Sequence, residues 1–379
     1  SLYSTRTMAD NWDTYADTWV AVDGLGREIY SSDTPQIKAD KPNAHGHTVG
    51  LFYYLWHGSH LVANTGKVYD VTELLKENLE NPQWGPFHEM HWWGRPVLDY
   101  YKAGDPYVLE KHMQMICDAG IDFLFFDVTN AFIYVDEVKK VMQEIDRRQN
   151  LGMKVPKLCF MVHSSTPNTV QNLYDNFFSK PQFDKYWYNF QGKPLMLGNK
   201  NEVTNATILN RFTWRNSWAW LNGDKPNEWS WLEFYPQMPG WSGSRLNREQ
   251  ISVSTAQHAH SKIGKSYHDG KQPALLPNGT TAVTGQGLYY NEQWKRAHTM
   301  NAQHVMITQF NEWQAMRFIA DGRDGMIVDY VRPCGKRISS ESVFIDAYNA
   351  EFNRDIEPSS DPILRDNYLM QTVNHIRRY

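Results

Sequence analysis

Two carboxylates stand where apolar runs end. Val305-Met306-Ile307-Thr308-Gln309-Phe310 passes into Asn311-Glu312-Trp313, and Ile121-Asp122-Phe123-Leu124-Phe125-Phe126 passes into Asp127. A carboxylate closing such a run is costly unless it emerges into a polar site or meets a donor. Glu312 is therefore the first choice for a reacting carboxyl and Asp127 the second. The competing readings are a surface pairing of Glu312 with Arg317 and a turn-capping role for Asp127 ahead of Thr129 and Asn130. Two further runs end in imidazoles, Lys157 to Val162 in His163 and Thr48 to Leu55 in Trp56-His57. Each histidine singly reads as a hydrogen-bonded contact rather than a base, but four polar endings on separate strands point to a common rim. Two carboxyls flanking a glycosidic bond can divide acid and base or nucleophile roles.

The elements that must position these groups alternate. Apolar runs at Thr48 to Trp56, Asp122 to Val128, Lys157 to His163, Pro194 to Leu197, Phe212 to Trp218, Ile251 to Ala256 and Val305 to Phe310 read as strands. Helical spacing fills Pro106 to Ala119, Tyr134 to Asn150, Thr169 to Phe178, Thr204 to Arg211 and Asn291 to Met300, with Gly120 as a helix-ending cap. Strands alternating with helices imply right-handed crossovers and a parallel sheet. With an eighth strand placed near Met326 to Val331, the pattern predicts a (β/α)8 TIM barrel with long loops over the C-terminal face of its strands. Asn222 to Arg245 and His258 to Gly287 are the longest of those loops. No repeat or linker divides the 379 residues, so one catalytic domain is expected, with an N-terminal extension over about 1–45 and a C-terminal helical region over about 341–379.

Composition narrows the partner. Fifteen Trp, 21 Tyr and 17 Phe bring aromatics to 14%, and several fall in polar settings such as His91-Trp92-Trp93-Gly94 and Asn216-Ser217-Trp218-Ala219-Trp220. Indole faces suit the apolar C–H faces of sugar rings while neighbouring polar groups take the hydroxyls. A net charge of −4 with no basic block argues against nucleic acid, and no run of about 18 apolar residues provides a membrane span. His88-Glu89-Met90-His91 lacks the spacing that sets two imidazoles on one helix face, so no metal is expected. No Gly-rich phosphate loop follows the first strand and no Gly-x-Ser-x-Gly elbow occurs, so no cofactor is expected either. Cys117 and Cys159 read as packed thiols, while Cys334 falls in a loop. The N-terminus lacks a signal-peptide pattern, but the chain starts at Ser1 rather than Met; a leader is taken as removed and a secreted or periplasmic location is expected.

Phe310-Asn311-Glu312-Trp313, with Gly120-Ile121-Asp122-Phe123 upstream, resembles the family 99 endo-mannosidases and the related family 71 and polysaccharide-locus barrel proteins. The resemblance implies a (β/α)8 glycoside hydrolase with Glu312 in its site. In family 99 that glutamate acts as a base on the substrate's own 2-hydroxyl, closing a 1,2-anhydro sugar, and a second glutamate three residues later is the acid. Here the third residue on is Ala315, which removes that acid. The relatives also carry Ile-Glu-Pro shortly after the motif; here Asp355-Ile356-Glu357-Pro358 follows more than forty residues later, as an insertion would produce. The resemblance thus brings Glu357, or Asp355, toward the site, against the alternative of a salt bridge from the final helical region.

The sequence therefore predicts a glycosidase acting on an oligo- or polysaccharide, with Glu312, Asp127 and Glu357 as candidate catalytic residues. Trp93, Trp218, Trp220 and Trp313 are candidate sugar platforms, and His57, His91, His163 and Asn311 candidate hydroxyl contacts. Two rivals stand beside it. One is a barrel that binds glycan without cleaving it, motivated by Ala315. The other is a polysaccharide lyase in which His163 or a Tyr abstracts a proton beside a uronate neutralised by Arg95 or Arg317.

Overall fold

The computed structural model describes residues 21–29, 46–58, 67–319, 342–344 and 346–379. Seven parallel strands form its centre: β1 (Thr48–Tyr53), β2 (Phe123–Asp127), β3 (Lys157–Met161), β4 (Lys193–Leu197), β5 (Thr213–Arg215), β6 (Ser244–Val253) and β7 (His304–Ile307). Their order across the sheet is β5-β4-β3-β2-β1-β7-β6, so the last strand lies beside the first. That is a cyclic order, and each strand otherwise neighbours its predecessor or successor. An antiparallel strand, Gly240–Ser242, folds back on β6. The fold is a mixed α/β one built on a curled parallel sheet, as the alternation predicts, but among the described residues the ladder is not continuous around a ring.

The discontinuity lies between β5 and β6. There the segment 227–232, which the sequence placed inside a long loop, runs parallel to the chain leaving β5. Its backbone bonds pair Asn227 O with Asn216 N, Trp229 N with Asn216 O, and Trp231 N with Trp218 O. Toward β6 the bonds come mainly from side chains: Gln250 Nε2 donates to Ser230 O at 2.8 Å and Trp229 Nε1 to Glu249 Oε1 at 3.1 Å. A bidentate Arg215–Glu249 pair, at 2.8 and 2.9 Å, ties β5 to β6 directly. The expected eighth strand near Met326 to Val331 falls outside the described residues, as does Cys334.

The strands are buried on both faces, which is why they read as unbroken apolar runs. Val49, Leu51, Tyr53, Leu124, Phe126, Leu158 and Phe160 face the helices. Phe52, Phe123, Phe125, Cys159, Met161, Leu195, Leu197 and Met306 fill the inside of the curl together with Trp229, Trp231 and Leu232. Gly50 on β1 makes room for this filling, because a Cβ there would collide with the Phe123 ring. That ring is itself stacked on Tyr188 at 4.2 Å and has nowhere to retreat. Gly50→Ala is expected to cost about 1–3 kcal/mol through overpacking, read as a lower midpoint in urea unfolding with unchanged slope.

Among the described residues, a short helix at Val71–Glu77 precedes six further α-helices: α1 (Pro106–Ala119), α2 (Val135–Asn150), α3 (Thr166–Leu173), α4 (Ala206–Arg211), α5 (Leu288–Met300) and α6 (Asn367–Arg378). Helix α1 shows why its bounds were readable. Asp105 accepts the Tyr107 and Val108 N–H groups, Pro106 opens the first turn, and Gly120 ends the helix at φ 94°. Its inner face buries Val108, His112, Met113, Ile116 and Cys117. At α3 the sequence placed the start at Thr169; the helix begins at Thr166, where Pro167 lies in the first turn. No helix among the described residues is long and apolar enough to cross a membrane.

Candidate active site

A cavity of about 340 Å³ opens at the carboxyl ends of the strands, near the lower end of the range for small-molecule sites. Phe52, Tyr54 and Trp56 reach it from the end of β1, Asp127 and Thr129 from β2, Met161 from β3 and Trp218 to Trp220 from the chain beyond β5. His258 follows β6, Glu312 follows β7, and Asp346 and Arg354 arrive from the chain after the 314–316 strand. Glu312 and Asp127, predicted from two separate strand endings, thus share one pocket.

Glu312 is 2% exposed. Its Oε2 lies 3.4 Å from Arg354 Nη2, and the same nitrogen lies 3.4 Å from Asp346 Oδ1. Burial, and then the negative charge of Asp346, hold the Glu312 carboxyl well above the usual range; Arg354 opposes them and does not prevail. Asp355 and Asp127 push the same way. Glu312 therefore favours its protonated form. Asp127 accepts both Thr129 N at 3.0 Å and Thr129 Oγ1 at 2.6 Å through Oδ1, so the capping role is real alongside its place on the cavity wall. Burial raises its pKa as well, against those two donors.

Arg354 is the cation of the site. It is buried over the Trp231 ring at 5.3 Å and donates to Gln309 Oε1 and Gln257 O. Burial works against its charge, but the negative charges of Asp346 first and of Asp355 keep it protonated. His258 is kept neutral, its pKa lowered to about 4 by burial and by Arg354. Its Nδ1 accepts Ser261 N at 3.0 Å, leaving the proton on Nε2.

The turn that carries Glu312 is fixed from behind by Asp355. Its Oδ1 accepts Glu312 N at 2.6 Å and Gln309 Nε2 at 2.9 Å; its Oδ2 accepts Trp313 N at 2.9 Å and Trp93 Nε1 at 2.8 Å. Burial presses the pKa of this carboxyl upward, but four donors on two oxygens occupy the lone pairs of an ionised carboxylate, and in that form it is held. Trp313 sits at φ 52°, a conformation non-glycine residues adopt at a cost of about 1–3 kcal/mol. The Asp355 bond and a stack on Trp93 at 4.5 Å keep it there.

Several predicted contacts belong to this supporting layer and do not face the cavity. Glu357, expected as a catalytic residue, accepts Tyr101 OH at 2.6 Å, Trp313 Nε1 at 2.9 Å and His112 Nε2 at 3.0 Å in the core. Its lone pairs serve packing, and it does not line the pocket. Trp93 and Trp313, expected as sugar platforms, are fully buried against each other. Asn311 bridges Tyr54 N and Tyr101 OH, and His57 Nε2 binds Asn311 O at 2.8 Å with its pKa lowered to about 4 by burial. His91 is buried between the Trp84 and Glu89 carbonyls on the strand Met90–Trp92. Opposite it in that ladder lies Ala315, so the residue missing relative to family 99 occupies a packed position rather than the cavity wall.

The other two candidate platforms lie at the cavity. Trp218 and Trp220 line the cavity and stay about one-third exposed. His163 stacks on Trp218 with ring centroids 3.5 Å apart and 7° between planes, at the cavity's edge. Trp220 stacks on Phe234 at 5.2 Å. Asp346, Arg354 and His258 carry chemistry that the sequence did not single out. They lie on irregular chain with no periodic signal, and only folding brings them to Glu312.

Fold and cavity together define an α/β protein with an acidic, aromatic-walled site at the carboxyl end of a parallel sheet. Its sequence matches no protein-family model and no curated protein. Among solved structures, it is similar to the GH99 endo-alpha-mannosidase from Bacteroides thetaiotaomicron, with a TM-score of 0.48 and 16% identity over 87% of this chain and 96% of that one. The same enzyme in complex with BIS-TRIS-propane gives 0.46 and 17%, over 87% and 96%. A glycoside hydrolase-like protein gives 0.45 and 13%, over 92% of this chain and 98% of that chain.

Proposed function

We propose that the protein is a glycoside hydrolase acting on an oligo- or polysaccharide, built on a (β/α)8-type domain. The convergence of Glu312 and Asp127 on one cavity carries this reading. Two strands far apart in sequence deliver carboxyls to a site walled by exposed indoles and supplied with Arg354, Thr129 and the neutral His258 for hydroxyls. That is the equipment of carboxyl-mediated glycoside chemistry. The barrel reading rests on the cyclic strand order, with the segment 227–232 taking the place of a strand between β5 and β6.

Incubation with a panel of neutral oligo- and polysaccharides is expected to release new reducing ends from at least one member. Binding without release over long incubation would instead favour a glycan-binding barrel, and an ultraviolet-absorbing unsaturated product would favour a lyase. Trp218→Ala is expected to raise KM about tenfold with kcat little changed, the loss of one stacking face. An unchanged KM would remove Trp218 from the substrate path.

A further inference from the structure

Three carboxyls border the cavity, and their surroundings differ in a way that divides labour. Asp127 has one oxygen committed to Thr129. Glu312 is enclosed, with Tyr54, Asp127, Asp346, Asp355 and Arg354 as the charged and titratable groups around it. Asp346 is different. Its side chain is 49% exposed, and among the described residues its one ion pair is with Arg354. A substrate entering the cavity can reach Asp346 without breaking a packed contact.

The shared guanidinium also sets a distance. Glu312 Oε2 and Asp346 Oδ1 are each 3.4 Å from Arg354 Nη2, so they lie no more than about 7 Å apart, which includes the separation of about 5–5.5 Å typical of retaining glycosidases and only the lower edge of the inverting range.

Resting on the hydrolase reading, we propose that Asp346 is the second reacting carboxyl of the cavity, attacking the anomeric carbon while Glu312 donates a proton to the leaving oxygen. In the first step a bond forms from Asp346 Oδ to C1 as the C1–O glycosidic bond breaks, and the Glu312 proton goes to the departing hydroxyl. In the second, Glu312 takes a proton from water, the water oxygen bonds to C1, and the ester to Asp346 breaks. Both carboxyls return to their starting states. Burial and the nearby Asp346 favour the proton on Glu312 that the first step needs, and Arg354, within 3.4 Å of both carboxyls, is placed to steady the Glu312 anion as it forms.

The roles are separable with 2,4-dinitrophenyl glycosides, whose leaving group needs no proton, set beside neutral oligosaccharides. Asp346→Asn is expected to lose at least about a thousandfold on both substrates while its melting temperature stays near wild type, because the side chain is half-exposed. Glu312→Gln is expected to lose as much on oligosaccharides and far less on the dinitrophenyl glycoside. Asp346→Ala with added azide is expected to yield a glycosyl azide of inverted configuration. If Asp346→Asn keeps more than about a tenth of wild-type turnover while Glu312→Gln is inactive, this assignment is overturned and hydrolysis stands. A wild-type protein that cleaves nothing in the panel overturns both.

Discussion

Replacing Glu312 with Gln is expected to reduce oligosaccharide turnover by about a thousandfold and, at the same time, to make the protein more stable at neutral pH. The first effect follows from losing the proton donor. The second follows from the direction of its titration. An unfolded Glu titrates near 4.5, and burial with Asp346 nearby raises the folded value well above that. Below about pH 4.5 the carboxyl is neutral in both states and contributes no difference. As pH rises from there toward the folded pKa, the unfolded chain releases a proton that the folded chain retains, so wild-type stability falls by up to about 1.4 kcal/mol per pH unit. The amide of the Glu312→Gln variant does not titrate. Thermal melts of both proteins from about pH 4.5 to about pH 8 should therefore diverge, the variant gaining on wild type as pH rises. Melting curves that stay parallel across that window would sink the raised-pKa account, and with it the ready proton at neutral pH.

Asp355→Asn is expected to be the most damaging isosteric change in the molecule. Each oxygen of Asp355 accepts two N–H groups, so either orientation of an amide turns two buried acceptances into donor–donor contacts. Leaving buried partners of a charged group unsatisfied costs about 3–5 kcal/mol. The backbone of Glu312 and the left-handed Trp313 are among the four groups released, so activity should fall even where the chain remains folded. Urea unfolding gives the stability loss, and turnover in conditions where the variant is fully folded gives the second part. A variant of near-wild-type stability would mean that Trp93 stacking alone holds the turn.

The strands and the two carboxyls at their ends were legible because burial on both faces leaves an uninterrupted apolar run, and a charge ending such a run stands out. Helix α1 was legible to the residue because Asp105, Pro106 and Gly120 are local signals. The polar residues next to those charges were ambiguous for a physical reason. A strand end can turn its side chain into a cavity or back onto the backbone of its neighbours, and the sequence does not distinguish the two. Asn311, His57 and His91 take the second course, satisfying carbonyls and amides, while Trp93 and Trp313 stack on each other beneath the turn. The motif Asp355-Ile356-Glu357-Pro358 stands out only by resemblance, and it lies behind the site without being part of its surface. Asp346, Arg354 and His258 had no signature at all, since irregular chain acquires its neighbours only through tertiary structure. The segment 227–232 was hidden the same way, its pairing made of isolated bridges that no alternation announces.

The dependence of Glu312 on Asp355 also has a temporal side. Protein chains emerge amino terminus first, and a domain generally folds as a unit. All seven parallel strands are complete once Ile307 has emerged, whereas the carboxylate that secures the Glu312 turn, the arginine that faces it and Asp346 are all translated later. The charged wall of the cavity, supplied by Asp346, Arg354 and the turn that Asp355 secures, is therefore synthesised after every strand of the sheet that carries it.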